Sequence, residues 1–296
     1  MTRRAFIVGA PKSATSSLHN WLVQHPGVYN SPIKETHFFT HEHVERTYYK
    51  PARVVKSQSA YDDLFREAEP DQILLDSTPN YLLYKGTAQK IRDAYPEAKL
   101  IAILRDPFER AISHFKMDRV LGIHNEPQRN LITMIENNPL FRLEYLENSR
   151  YGSNLEQYDS VFPNDQMCVL DFERLKRDSA AVLSEVFSFL GIYDCADTVD
   201  VAPQNTHNPA AAGYHRLLRK APFLSPIARS LPEGLKNALK SIYRSKKTFH
   251  DDTTEEEMVR VKHEFMGLIV EDLRTLTERI SWTSKFTDDT VANGTH

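Results

Sequence analysis

"FIVGAPKSATSSLHNWL", residues 6–22, decides how this chain folds and what its first loop can hold. The apolar run 5–8 ends at Gly9 and meets Pro11, turn chemistry that closes a short buried strand. Leu18, Trp21 and Leu22 then share one face at spacings of three and four, with Ser16 or Ser17 near the start of that helix. In a strand–loop–helix unit of a parallel sheet, backbone N–H groups and the helix N-terminus converge on an anion. Lys12 adds a charge to such a site, and Ser13, Thr15, Ser16 and Ser17 add hydroxyls. The nucleotide-hydrolase loop G-x-x-x-x-G-K-[ST] carries its lysine later, after a second glycine. Here Lys12 comes early and Ala14 stands where a glycine is expected. The competing reading is an ordinary turn whose hydroxyls merely cap the helix.

Outward from this unit the pattern repeats. Residues 28–29, 72–75, 99–104 and 167–170 are short apolar runs of strand length, and 86–95 and 180–190 read as helices, the latter ending at Gly191. Strands alternating with helices imply a parallel sheet with right-handed crossovers. Residues 126–162 read as wholly helical, interrupted by Pro139. Residues 201–214 read as loop, and 215–250 are basic with short helices. Thr254 and Glu257 form a capping box before a single apolar stripe from Met258 to Ile280. The expectation is an α/β fold: a single domain over 1–285, with a central parallel β-sheet flanked by helices, then a flexible tail over 286–296.

The 296 residues suffice for a sizeable core, and 26% charged with 41% hydrophobic residues fit an ordinary globular protein. A net charge of −3 gives no global field for nucleic acid. The opening residues do not read as a signal-peptide core, and no stretch is long and apolar enough to span a bilayer. Cys168 and Cys195 match no metal or redox spacing and read as buried free thiols, which suits a cytoplasmic protein.

Two further stretches carry chemistry. In "ILRDPFERAISHF", residues 103–115, a strand delivers Arg105, Asp106 caps the next helix and Pro107 suits its first turn. Ser113 lies two turns on, with Arg110 and His114 near it. An arginine on a strand end and a serine on the adjoining helix can clamp a second phosphate, against the plainer alternative of a structural arginine–carboxylate pair. In "SPIKETHFF", residues 31–39, Lys34, Glu35 and His37 crowd a polar insert. Glu35 can act as a general base if Phe38 and Phe39 desolvate it. His37, His41 and His43 invite a metal reading, but no further ligands accompany them, so no metal is expected.

Together these stretches resemble the PAPS-dependent sulfotransferases. "PKSATSSL" is similar to their 5′-phosphosulfate loop, P-K-[ST]-G-T-[ST], and "RDPFERAISHF" to their 3′-phosphate motif, R-[DN]-P-x-[ED]-R-x-x-S. "KETHFF" and "LDSTPNYL" resemble segments of the carbohydrate branch, the heparan sulfate type, and "CVLDFERLKRD" with "FSFLGI" the later strand and helix. The likeness covers about residues 5–192 and implies a P-loop-like sulfotransferase fold. It further implies PAPS as donor, held by Lys12, Ser13, Ala14, Thr15, Ser16, Ser17, Arg105 and Ser113. Glu35 is then the catalytic base, Lys12 stabilises the leaving group, and His37 orients Glu35 or the acceptor. Arg216 is the candidate in the family's late cofactor segment. Ala14 departs from the usual glycine, and Ser77 from a lysine that contacts sulfate and substrate. The acceptor implied is a saccharide hydroxyl, with a polyketide, lipid or phenolic alcohol as the alternative; Tyr48, Tyr49, Tyr81 and Tyr84 could line its cleft. Two other readings compete: a nucleotide-dependent kinase with Asp76 holding magnesium, and a non-catalytic scaffold.

Overall fold

Aliphatic residues on both faces of a strand demand cover on both faces, and the chain provides it. The computed structural model describes residues 3–45, 47, 54–202 and 251–286. Its strands are β1 (Arg4–Gly9), β2 (Val28–Asn30), β3 (Ile73–Ser77), β4 (Lys99–Leu104) and β5 (Met167–Asp171). All pair in parallel, in the spatial order β2-β3-β1-β4-β5. The helices of the first half are α1 (Thr15–Leu22), α2 (His41–Val44), α3 (Gln58–Asp63), α4 (Thr87–Ala94) and α5 (Pro107–Val120). Next come α6 (Leu131–Asn137), α7 (Pro139–Phe141), α8 (Tyr151–Asp159), α9 (Phe172–Arg177) and α10 (Ser179–Leu190). The last two described are α11 (Glu255–Gly267) and α12 (Val270–Arg279).

Side-chain alternation along β1 divides the core. Phe6 and Val8 join Leu74, Leu100 and Ala102 under α3, α4, α5, α8, α11 and α12. Ala5 and Ile7 join Leu75, Ile101 and Ile103 under α1, α9 and α10. Gly9 ends β1 at a close approach: a Cβ there would lie 2.5 Å from Leu82 Cδ2. None of the described helices is long and apolar enough to cross a membrane.

Two sequence expectations change. Residues 126–162 are not one interrupted helix but a series of short α, 3₁₀ and π turns. The stripe after Thr254 is two helices, because the chain turns at Leu268–Ile269; the capping box of Thr254 and Glu257 is formed as expected. The basic region 215–250 and all but the first residue of the tail lie outside the described residues.

Strand order locates the site. The connection after β1 leads to the β2 side of the sheet, and the connection after β4 leads to β5. Loops departing in opposite directions open a crevice at the carboxyl ends of β1 and β4, the usual ligand position in an open α/β sheet. Lys12 follows β1 and Arg105 follows β4, one on each side of it.

Candidate active site

Capping does not explain the hydroxyls of the first loop. The N-cap of α1 is Ala14, at φ 61° and ψ 21°, with no side-chain cap. The Leu18 N–H donates to the Ala14 carbonyl at 3.1 Å, so the amides of Thr15, Ser16 and Ser17 have no intrahelical acceptor. Lys12 also has a left-handed backbone, at φ 69°. Its ammonium lies 3.2 Å from the Met117 thioether, a weak acceptor. Burial lowers its pKa; Asp118 opposes this, Arg110 and Arg105 add to it, and Glu35 opposes it. A desolvated ammonium beside an uncapped helix N-terminus is complementary to an anion.

Across the crevice, Arg105 Nη2 donates to Glu109 Oε2 at 3.3 Å, and the guanidinium lies 4.9 Å over the Phe172 ring. Its buried Nε has no hydrogen-bond partner among the described residues. Asp106 caps α5 as expected, accepting from the Glu109 N–H at 2.8 Å, and Pro107 occupies the first turn. Ser113 is half-buried two turns along α5. Arg110 serves a different purpose. It is fully buried and donates to Ser149 Oγ at 2.7 Å and to the carbonyls of Glu144 and Tyr145 at 2.8 and 2.7 Å. His114 lies against it, held well below its usual pKa by burial and by Arg110 and Lys12.

The third loop carries the candidate base. Glu35 and His37 are both left-handed, at φ 61° and 53°. The Glu35 N–H donates to the Ser77 carbonyl at 3.2 Å, fixing the loop over the end of β3. The Glu35 carboxylate lies 3.5 Å from Lys34 Nζ and 3.9 Å from His37 Nε2. Both ring nitrogens of buried His37 lack hydrogen-bond partners among the described residues, and burial lowers its pKa while Glu35 and Asp76 oppose that. The desolvation expected from Phe38 and Phe39 is not what the structure shows. Phe38 stacks on Tyr61 at 4.4 Å, Phe39 packs on Phe6 and Tyr81, and the Glu35 side chain stays 35% exposed.

Beneath this loop is a hub the sequence reading did not identify. Asp76, fully buried at the end of β3, accepts from Thr36 Oγ1 (2.8 Å), Tyr61 (3.0 Å), Thr78 Oγ1 (2.7 Å) and Tyr81 (3.0 Å). Burial raises its pKa and the four hydroxyls oppose that. A carboxylate enclosed by four hydroxyls is not presented to magnesium, which removes the residue the kinase reading depends on.

Of the tyrosines considered for an acceptor cleft, Tyr81 is core and Tyr84 is buried against His43 at 4.7 Å. Tyr48, Tyr49 and Arg216 lie outside the described residues. Ser77 is taken by His19, whose Nδ1 lies 2.8 Å from its hydroxyl. The cysteines are free but only half-buried, and burial pushes the Cys168 thiol up to about 12.

Comparison with known proteins gives the family. The family described as Sulfotransferase domain matches residues 2–206. The bifunctional heparan sulfate N-deacetylase/N-sulfotransferase 3 of Homo sapiens is 28% identical over 203 residues, covering 63% of this chain and 22% of that protein. The heparan sulfate glucosamine 3-O-sulfotransferase 3B1 of Mus musculus is 29% identical over 194 residues, 64% of this chain and 46% of that protein. The chain thus spans less than half the length of these curated relatives. The crystal structure of a sulfotransferase from Alicyclobacillus acidocaldarius superposes with a TM-score of 0.62 at 28% identity, covering 83% of this chain and 100% of that one.

Proposed function

The chain belongs to the sulfotransferase domain family, and on that premise we propose that it transfers a sulfuryl group from PAPS to a saccharide hydroxyl, releasing PAP. PAPS supplies an activated sulfuryl group on a phosphate leaving group, with a second phosphate at its 3′ position. The residues present fit it. The Thr15, Ser16 and Ser17 amides lack intrahelical acceptors, the Lys12 ammonium has the Met117 thioether at hydrogen-bond distance, and the Arg105 Nε across the crevice is unpartnered among the described residues.

In this reading Lys12 and the α1 N-terminus hold the 5′ end, with Ser13 and the neighbouring hydroxyls, and stabilise the charge that develops on the leaving oxygen. Arg105 and Ser113 hold the 3′-phosphate. Glu35 accepts the proton of the acceptor hydroxyl, and neutral His37, with both nitrogens free, orients that hydroxyl. One observation carries the reading. Lys34 reaches both Ser16 Oγ on the anion loop (2.5 Å) and the Glu35 carboxylate (3.5 Å), so the candidate base stands beside the anion site. A saccharide is favoured as acceptor because the similar curated enzymes are named for heparan sulfate. Incubating the protein with sulfur-labelled PAPS and a panel of glycans, phenols and aliphatic alcohols tests this. Label moving to a glycan is expected. Transfer to phenols alone would replace the acceptor, and no transfer to any of them, with ATP hydrolysis instead, would overturn the function.

A further inference from the structure

Lys34 is placed where a cation is hard to accommodate. Its ammonium donates to Ser16 Oγ at 2.5 Å, in the first turn of α1, the positive end of that helix. Lys12 belongs to the same loop, and among the described residues its ammonium has no carboxylate at ion-pair distance. The charge of Lys34 is felt nearby: burial and then Lys34 lower the pKa of His19 to about 4. The Glu35 carboxylate lies 3.5 Å from the Lys34 ammonium, and on the Lys12 side buried Asp118, together with Glu35, offsets part of the positive charge. Two ammonium groups and an uncapped helix N-terminus, only partly offset by Glu35 and Asp118, form a site complementary to an anion.

Resting on the donor assignment above, we propose that Lys34 is a catalytic residue that binds the oxygens of the sulfuryl group itself. Lys12 then serves the leaving phosphate oxygen. On binding, the Lys34 ammonium exchanges Glu35 for the sulfuryl oxygens, which releases the Glu35 carboxylate to take the acceptor proton. In the transfer, the bond from sulfur to the bridging oxygen breaks and its electron pair stays on the phosphate. A bond from the acceptor oxygen to sulfur forms, and the acceptor proton goes to Glu35. Lys34 neutralises sulfuryl charge throughout and neither gains nor loses a proton.

PAP and PAPS differ only in that sulfuryl group, so paired calorimetric titrations of the full chain without acceptor isolate it. Lys34→Met is expected to weaken PAPS binding by about 10- to 100-fold, the worth of a charge-assisted hydrogen bond. PAP binding should change less than about 3-fold, the scatter expected for a contact not made. Lys34→Arg should recover part of the PAPS affinity. Lys34→Gln, which keeps polarity at this one-third-exposed position, serves if the methionine variant does not fold. PAPS and PAP affinities that both stay at wild-type values, or fall together, would overturn the proposal, since a lysine that merely positions Glu35 gives one of those results. A wild-type protein that binds neither nucleotide would overturn the donor assignment first.

Discussion

Lys12, Ala14, Glu35 and His37 are non-glycine residues held at positive φ, and all four lie in the loops of the candidate site. Each pays about 1–2 kcal/mol in the left-handed region, a cost tolerated where the backbone position itself is needed. Ala14 tests this directly, because its side chain makes no cap and glycine adopts its φ of 61° freely. Ala14→Gly should raise the melting temperature, by the equivalent of about 1 kcal/mol at most once chain entropy is counted, and leave PAP binding intact. A lower melting temperature would show that the methyl group contributes packing. Glu35 is tested by Glu35→Gln, which keeps shape and removes the base. Turnover should drop about 10²- to 10⁴-fold with PAP affinity almost unchanged, and a phenol, already more acidic, should lose less than a sugar alcohol. Normal turnover would reduce Glu35 to a turn residue.

The loop of Glu35 is held by an element. Thr36, between Glu35 and His37, donates to Asp76 at the end of β3, and the Glu35 amide donates to the Ser77 carbonyl next to it. Asp76→Asn brings amide hydrogens to a position built for acceptance from four hydroxyls, so the protein should lose about 1–3 kcal/mol by urea denaturation. Its kcat should fall further than its PAP affinity; unchanged turnover would mean that the loop holds its shape without Asp76. This hub was invisible in "LDSTPNYL" because Tyr61 and Thr36 come to Asp76 from distant segments. The strands, by contrast, were legible, since two-faced burial writes continuous apolar runs. Residues 126–162 kept a helical pattern yet break up, because Arg110 takes the Glu144 and Tyr145 carbonyls within a π turn. The break after α11 was written in the sequence as a five-residue step from Leu268 to Leu273, which shifts the apolar stripe out of phase. Ile269, buried at that step, takes the core position while Leu268 is exposed.

At the scale of the molecule, buried histidines set the response to acid. His19 and His124 are lowered to about 4, and His37 and His114 are lowered too, all chiefly by burial. The unfolded chain binds these protons near pH 6.5 and the fold resists them, so stability is lost as pH falls from about 6.5 toward 4. For His19, only 7% exposed, that amounts to roughly 3 kcal/mol. Glu144 acts oppositely: burial raises it to about 7, so its contribution is lost as pH rises above 4.5. Burial raises the carboxyls of Asp76 and Asp159 in the same sense, so four histidines stand against three carboxyls, and the histidines dominate. The melting temperature should therefore be lower at pH 5 than at pH 7, and His19→Asn should flatten the difference; equal values at both pH would mean water reaches these rings. The crevice between β1 and β4 makes the last prediction. Its two sides come from separate strands, so they can be disabled separately, and only the β4 side, Arg105 and Ser113, is assigned to the 3′-phosphate. Arg105→Ala and Ser113→Ala should each weaken PAP binding, Arg105→Ala by about 10-fold or more as for a lost charge-assisted contact. Adenosine 5′-phosphosulfate lacks the 3′-phosphate and should bind both variants nearly as it binds the parent. Arg105 also rests on Phe172 and Glu109, so a general collapse of that corner would weaken both ligands alike. Equal losses would mean that the β4 side shapes the crevice without reading the 3′ position.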